Sequence, residues 1–397
     1  MIPKGWLFAL LCSLLHFSAI AAGGFDTGIK PADALPEKYM PLLAGKRVAL
    51  VVNQTSAVGD SLLPEILLHR GITVVKIFVP EHGFRGTADA GAKVDSYIDS
   101  ATHLPVISLY GKHKQPQDSD LADVDVLVYD LQDVGVRFYT YISTLQYCME
   151  ACAENHKELI ILDKPDPNGF YVDGPVLEAD QKSFVGMQPI PIVYGMTPGE
   201  YARMLVGQHW LSNGGPLQLT VVPCTNYDHS KRYRLPVAPS PNLRNMAAVY
   251  AYPSLCLFEG TPVSLGRGTD KPFQQFGAPA FKSAYRYGFV PRAVPGASAP
   301  LYANDSCYGQ IVAASPEDAL GEINNRLQLR WLMDAYRHYP ADSSFFKPFF
   351  DKLAGTSKLK QQIMSGITET DIRNSWQPAI INFRSIRAKY LLYPDFH

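Results

Sequence analysis

The chain has 397 residues, with 36 Lys and Arg against 37 Asp and Glu and a formal net charge of −1. That balance excludes the basic face a nucleic-acid binder requires, so neutral or zwitterionic ligands are the expected partners. Six cysteines fall to five, Cys148, Cys152, Cys224, Cys256 and Cys307, once Cys12 is removed with a leader, and an odd count is not a disulfide framework.

That leader is the first element met. Residues 1–21 hold Lys4, an apolar run over residues 6–20 and the small-residue pattern Ala19-Ile20-Ala21, which predicts a cleaved export signal and a periplasmic or secreted product. The run is too short to span a bilayer, so no stable membrane insertion is expected. About 375 residues follow, enough for two ordinary cores.

Residues 46–52, 73–79, 105–110, 124–131 and 158–163 are short, nearly continuous apolar runs, the pattern of strands buried on both faces of a parallel sheet. Residues 61–72 and 137–156 between them carry helical spacing, with Phe138, Tyr141, Ile142, Leu145, Cys148 and Cys152 on one stripe. Alternating strands and helices predict an open, mostly parallel α/β sheet of Rossmann-like type. From residue 224 the chain becomes rich in Pro, Gly, Tyr and Asn, and after 316 it reads as helices and polar turns. We therefore divide it into a leader at 1–21, a first domain over 22–245 and a second over 246–397.

Ligands of open parallel sheets bind beyond the carboxyl ends of the strands. Those ends here carry Asn53, Gln54 and Thr55; Glu81 and His82; Asp130, Gln132 and Asp133 with Arg137 following; and Asp163, Lys164 and Asp166. Burial raises the pKa of a carboxyl group leaving an apolar strand, which suits Glu81 to general acid work. His82 or Arg85 beside it would hold a substrate hydroxyl or carboxylate, while the bland alternative makes the segment a tight turn with Glu81 capping a helix. Asp130 and Asp133 offer a second carboxylate of a glycoside-cleaving pair, with Arg137, Tyr139 and Tyr141 lining a sugar subsite; otherwise Asp133 begins a helix and the tyrosines are core. Glu259, Ser264, Arg267, Thr269 and Asp270 form a polar set on glycine-rich backbone, and Gly266 and Gly268 alone do not complete a phosphate loop.

Five blocks then carry a resemblance over essentially the whole mature chain: "NQT" at 53–55, "PEHGFRG" at 80–86, "YDLQDVGVRFYTY" at 129–141, "LDKPDPNG" at 162–169 and "LFEGTPVSLGRGTDKPFQQFGAP" at 257–279. Together they resemble exo-β-N-acetylmuramidases of the NamZ type. The resemblance implies a Rossmann-like domain, a smaller C-terminal α/β domain and a cleft between them, with release of N-acetylmuramic acid from the non-reducing ends of peptidoglycan fragments. It also implies that Glu81 is the family's catalytic glutamate. Pro262 stands where the family pattern places an amide. The partner carboxylate stays open among Asp130, Asp133 and Glu259, or the sugar's own acetamido group. The lactyl carboxylate of muramic acid gives Arg85, Arg137 or Arg267 a task.

Two other function classes fit parts of the sequence. A muropeptide-binding protein would need the arginines and aromatics but not Glu81. The "GDSL" string at 59–62 suggests a serine esterase using Ser61, although that serine trails its strand and Asp395 and His397 sit one residue too close. No cofactor is expected, and the ten histidines form no metal-ligand pair.

Overall fold

The computed structural model describes residues 24–396 except 90, 93, 94, 213, 214, 342 and 343; the expected leader lies outside the described residues. In chain order the first half runs α1 (Pro36–Leu43), β1 (Arg47–Val52), the hairpin β2 (Ala57–Val58) and β3 (Ser61–Leu62), α2 (Leu63–His69), β4 (Thr73–Val79), β5 (Tyr97–Ile98), β6 (Pro105–Ser108), α3 (Asp118–Leu121), β7 (Val126–Asp130), α4 (Tyr141–Glu154), β8 (Glu158–Leu162), α5 (Pro198–Gly207) and β9 (Leu219–Val222). The second half runs α6 (Met246–Leu255), β10 (Gln275–Ala278), β11 (Tyr287–Phe289), β12 (Cys307–Ile311), α7 (Pro316–Ile323), α8 (Arg330–His338), α9 (Phe349–Ala354), α10 (Lys358–Met364) and α11 (Glu369–Arg387).

The apolar runs become a seven-stranded sheet ordered β5-β6-β4-β1-β7-β8-β9, parallel except for the edge strand β5. Counting the six parallel strands along the chain gives the spatial order 3-2-1-4-5-6 of a doubly wound fold, with its switch point between β1 and β7. Burial explains why the strands read as continuous apolar runs: every residue of β7 and all but the first of β1 are buried. One face of the sheet packs on a core containing Tyr39, Leu63 and Leu67. The other face packs on a larger core that continues through α6 into the second half, as far as Phe383 of α11.

All ten residues of α6 are buried, and Asn245 begins the helix by accepting a hydrogen bond from Ala248 N–H at 3.0 Å. The second half adds a three-stranded antiparallel sheet, β10-β12-β11, and a set of helices. Its tail returns to the first domain: the Tyr393 hydroxyl donates to Asp163 at 2.6 Å, and Leu392 N–H donates to Glu200 at 2.8 Å. Asp163 also accepts from Thr197 and from Gly199 N–H, at 2.7 and 2.8 Å, at the start of α5. One strand-end acid thereby ties together β8, α5 and the C-terminal tail.

Candidate active site

A cleft of about 670 Å³ opens beyond the ends of β4 and β6, between the two halves. Its first-domain wall carries Glu81, His82, Tyr110 and residues 138–141; its second-domain wall carries Glu259, Arg267, Phe273 and residues 296–301. The segment after β4 is a run of turns in which His82, Gly83 and Gly86 have φ near +71°, +72° and +66°. Glycine suits position 86, where a Cβ would lie 2.2 Å from the Gln54 side chain, whose amide is held by Ala238 O and Pro239 O. His82 holds the same left-handed backbone with a full side chain, a cost of order 1–3 kcal/mol retained at the site. Its Nδ1–H donates to Ala88 O at 2.7 Å, and the ring lines the cleft.

Glu81 is half-buried, and no helix follows it to be capped. One of its oxygens accepts from Gly91 N–H at 2.8 Å. The Tyr110 hydroxyl faces it; burial and the charge of Glu81 push that phenol up to about 12, with Glu259 adding to the shift. Both glutamates therefore act on one hydroxyl. Across the cleft Glu259 takes a 2.6 Å charge-assisted hydrogen bond from Arg267. The guanidinium also lies 4.9 Å from the Phe273 ring centroid. Burial would lower the pKa of Arg267, but the neighbouring Glu259 outweighs it and raises it.

The inner end of the cleft is aromatic. Tyr139 and Tyr141 meet edge-on at 4.6 Å, Tyr139 and Tyr252 at 6.0 Å, and Tyr252 and Phe273 at 5.0 Å, all buried. Asn53 lies beneath this floor, donating to the Tyr141 hydroxyl at 2.8 Å, while Tyr139 donates to Pro239 O at 2.8 Å. Towards solvent Tyr110, Phe184 and Val185 are only half-buried. The lining of the cleft thus includes both buried aromatic rings and half-exposed residues.

Of the residues expected at the site, Glu81, His82, Tyr139, Tyr141, Glu259 and Arg267 line the cleft and the others do not. Asp130 and Asp133 are corrected from the cleft to the interior, at 0 and 2 % exposure. Asp130 shares the Lys164 ammonium with Asp33, at 3.0 Å on its own side, and burial raises its pKa. This ion cluster fills the β1/β7 switch point, where a nucleotide-binding sheet would hold its ligand. Asp133 accepts from the Tyr194 hydroxyl and from Gly135 N–H at 2.5 and 2.7 Å.

Arg137 is also buried rather than sugar-facing. It precedes α4, and its guanidinium donates at 2.8–2.9 Å to the carbonyls of Pro175, Ile190, Leu353 and Ala354. Arg85 pairs with Asp99 at 3.1 Å outside the cleft, and Gln54 donates to Ala238 O and Pro239 O at 3.1 Å. The Ser264 hydroxyl is turned inward and accepts from Gly266 N–H. Thr269 donates to Gly266 O, and Asp270 pairs with Lys271 at 3.1 Å away from the cavity. The Pro262 carbonyl accepts from the Tyr302 hydroxyl at 2.7 Å. Ser61 is exposed on β3 and Asp395 is engaged by Arg387 at 2.7 and 2.9 Å; neither lines the cleft, and His397 lies outside the described residues. Among the described residues no group of three His, Cys, Asp or Glu side chains is arranged to hold a metal ion. The five described cysteines are buried and unpaired.

Sequence reasoning missed Tyr110, Asp89 and Ser298. Ser298 N–H and its hydroxyl both donate to Asp89, the former at 2.7 Å, joining the rims of the two halves.

The models of the exo-β-N-acetylmuramidase NamZ family match most of the chain, the N-terminal domain over residues 48–247 and the C-terminal domain over 250–393. The chain belongs to the NamZ family. It is 36% identical to the peptidoglycan β-N-acetylmuramidase NamZ of Bacillus subtilis strain 168 over 98% of this chain and 99% of that one. Crystal structures of two DUF1343-family proteins from Bacteroides fragilis NCTC 9343 share the fold. One is 44% identical with a TM-score of 0.85, the other 31% with 0.74, and each alignment covers 92% of this chain and 99% of the relative. Among NamZ-type chains, the present one places its "PEHG" glutamate on one wall of the cleft and its "FEG" glutamate on the other.

Proposed function

We propose that the chain is an exo-acting glycoside hydrolase that releases N-acetylmuramic acid from the non-reducing ends of peptidoglycan fragments, with Glu81 as general acid. What carries this reading is the pair of glutamates, Glu81 and Glu259, on opposite walls of a cleft floored by buried aromatic rings, in a member of the NamZ family. That aromatic floor gives a terminal sugar its place, as exo-action requires. Stacking of a sugar's apolar face on Tyr139 or Tyr252 supplies the binding surface.

Glycoside cleavage needs a proton on the leaving oxygen and negative charge near the oxocarbenium-like carbon. One Glu81 oxygen accepts from Gly91 N–H, which fixes the carboxyl while the other oxygen carries the proton to the departing sugar. As the C1–O bond breaks, Glu259 or the substrate's acetamido oxygen meets the developing positive charge, and water completes the reaction. Arg267 is the only arginine among the described residues lining the cleft, so it is the group available to the muramyl lactate. Export at the expected leader would bring the enzyme to its polymer.

The test is a muramic-acid-terminated disaccharide followed by NMR. Free N-acetylmuramic acid should appear, and its first-formed anomer reports whether Glu259 or the acetamido group forms an intermediate or a base activates water directly. Binding without release would make the protein a muropeptide receptor instead.

A further inference from the structure

The half-exposed side of the cleft does not stop at Tyr110. Phe184, which lines it, lies 6.4 Å from Tyr110 and stacks on Tyr147 of α4 at 6.0 Å and 11°. The Ser143 hydroxyl donates to Phe184 O at 2.7 Å and holds that segment against α4. Beyond lies a shallow groove of about 530 Å³ whose lining includes Lys112, Lys114 and Tyr147. Lys114 Nζ sits 4.5 Å from the Phe184 ring centroid. Among the described residues neither Lys112 nor Lys114 has an ion-pair partner, while the two acids of the same lining, Asp118 and Glu154, take hydrogen bonds from the neutral amides of Asn155 and Gln115 and keep their charge. Two unpaired ammonium groups on an aromatic shelf contrast with the cleft itself, where the lining acids Glu81, Asp89 and Glu259 outnumber the single arginine.

We propose that this shelf holds the next anionic sugar of the glycan, the second unit beyond the scissile bond. This rests on the reading of the cleft as an exo-muramidase site. In alternating peptidoglycan the first leaving unit is a neutral N-acetylglucosamine and the second is again a muramic acid bearing a carboxylate on its lactyl ether. The terminal sugar lies on the aromatic floor, so the leaving chain runs out past Glu81, Tyr110 and Phe184. Lys112 and Lys114 lie two and four residues after Tyr110, a reach of at most about 7 and 14 Å of chain, roughly one to two sugar rings. The neutral unit then faces the aromatic rings and the charged unit meets the lysines. The shelf makes the enzyme prefer glycan chains over isolated disaccharides.

The experiment compares a muramic-acid-terminated tetrasaccharide with the disaccharide, in the full-length protein and in the double variant Lys112→Ala/Lys114→Ala. Wild type should favour the tetrasaccharide by about tenfold in kcat/KM, and the double variant should lose most of that ratio, the size expected of two exposed charge contacts. The variant Lys112→Arg/Lys114→Arg should keep it, and raising salt should erode it in wild type. The disaccharide is too short to reach the lysines and reports on the cleft alone. An equal ratio in wild type and the alanine variant overturns the proposal. So does a lysine-dependent gain for a disaccharide carrying a stem peptide, which would assign the shelf to peptide. Affinities of both glycans for Glu81→Gln test the shelf without turnover, so an enzyme that cleaves neither substrate defeats the muramidase reading while this comparison still decides the shelf.

Discussion

Two groups of carboxylates, one lining the cleft and one at the carboxyl ends of β7 and β8, meet opposite fates. Glu81 and Glu259 stand half-exposed on facing walls of a cleft, each with a single strong partner and room for a substrate. Asp130, Asp133, Asp163 and Asp166 are at most 2 % exposed and are consumed by internal bonds to Lys164, Tyr194, Thr197, Tyr393 and nearby backbone N–H groups. The strand-end rule finds the edge but not which part of it is open. Here the N-terminal segment carrying Asp33 and the buried Lys164 close the switch point, and the site moves to the β4–β6 side, where the second domain supplies the other wall.

The largest effect should separate the two groups directly. Glu81→Gln keeps the acceptor for Gly91 N–H but removes the transferable proton, so turnover should fall by about two to four orders of magnitude with the melting temperature little changed. Glu259→Gln should cost less if the acetamido group assists. Near-normal release of muramic acid by the Glu81 variant would take Glu81 out of the mechanism. Asp133→Asn, by contrast, should leave turnover close to wild type.

The sheet was legible because burial on both faces leaves an unbroken apolar run, as in β1 and β7. The strand β9 was not, because only its last residue is fully buried and its four residues carry too little pattern. The place of Glu81 in the cleft was legible, as a carboxylate among glycines at a strand end. Tyr110 ends the third run in the same way, but an uncharged phenol after an apolar run reads equally well as core. Arg137 read as a ligand-binding cation because its acceptors are backbone carbonyls 38, 53, 216 and 217 residues away, which no local spacing reveals. The exclusion of Asp130 needed Asp33, nearly a hundred residues upstream, to be seen against Lys164.

Arg137 gives the second test. It joins two first-domain carbonyls to two at the end of α9, whose residues Phe349 and Leu353 reach the cleft. Gly355 lets it approach, since a Cβ there would lie 2.4 Å from the guanidinium. Burial lowers its pKa to about 9. Arg137→Ala strands four buried carbonyls at about 1 kcal/mol or more each, partly offset by removing a buried charge, so a net loss of about 3 kcal/mol is expected in denaturant unfolding. Arg137→Lys, with three donors for four acceptors, should lose less. A fully stable alanine variant whose sugar affinity alone had collapsed would return Arg137 to the site.

The smallest effect is the most diagnostic of the buried group. Burial raises Asp133 to about 7, against hydrogen bonds from Tyr194 and Gly135 that pull it down. The folded state therefore keeps a proton that the unfolded chain releases near pH 4, so this group's contribution is complete below about pH 4 and is lost as pH rises through about 7. One oxygen takes both hydrogen bonds and the other has none among the described residues, so an asparagine can place its oxygen where both donors point and its amide where the acid holds its proton. Asp133→Asn should match wild type near pH 5, within about 1 kcal/mol, and exceed it at pH 8 by on the order of 1 kcal/mol or more, measured as unfolding midpoints across that range. If the two proteins lose stability in parallel from pH 5 to 8, Asp133 is ionised in the fold, and the division between a dry structural set of acids and a wet pair lining the cleft fails on its structural side.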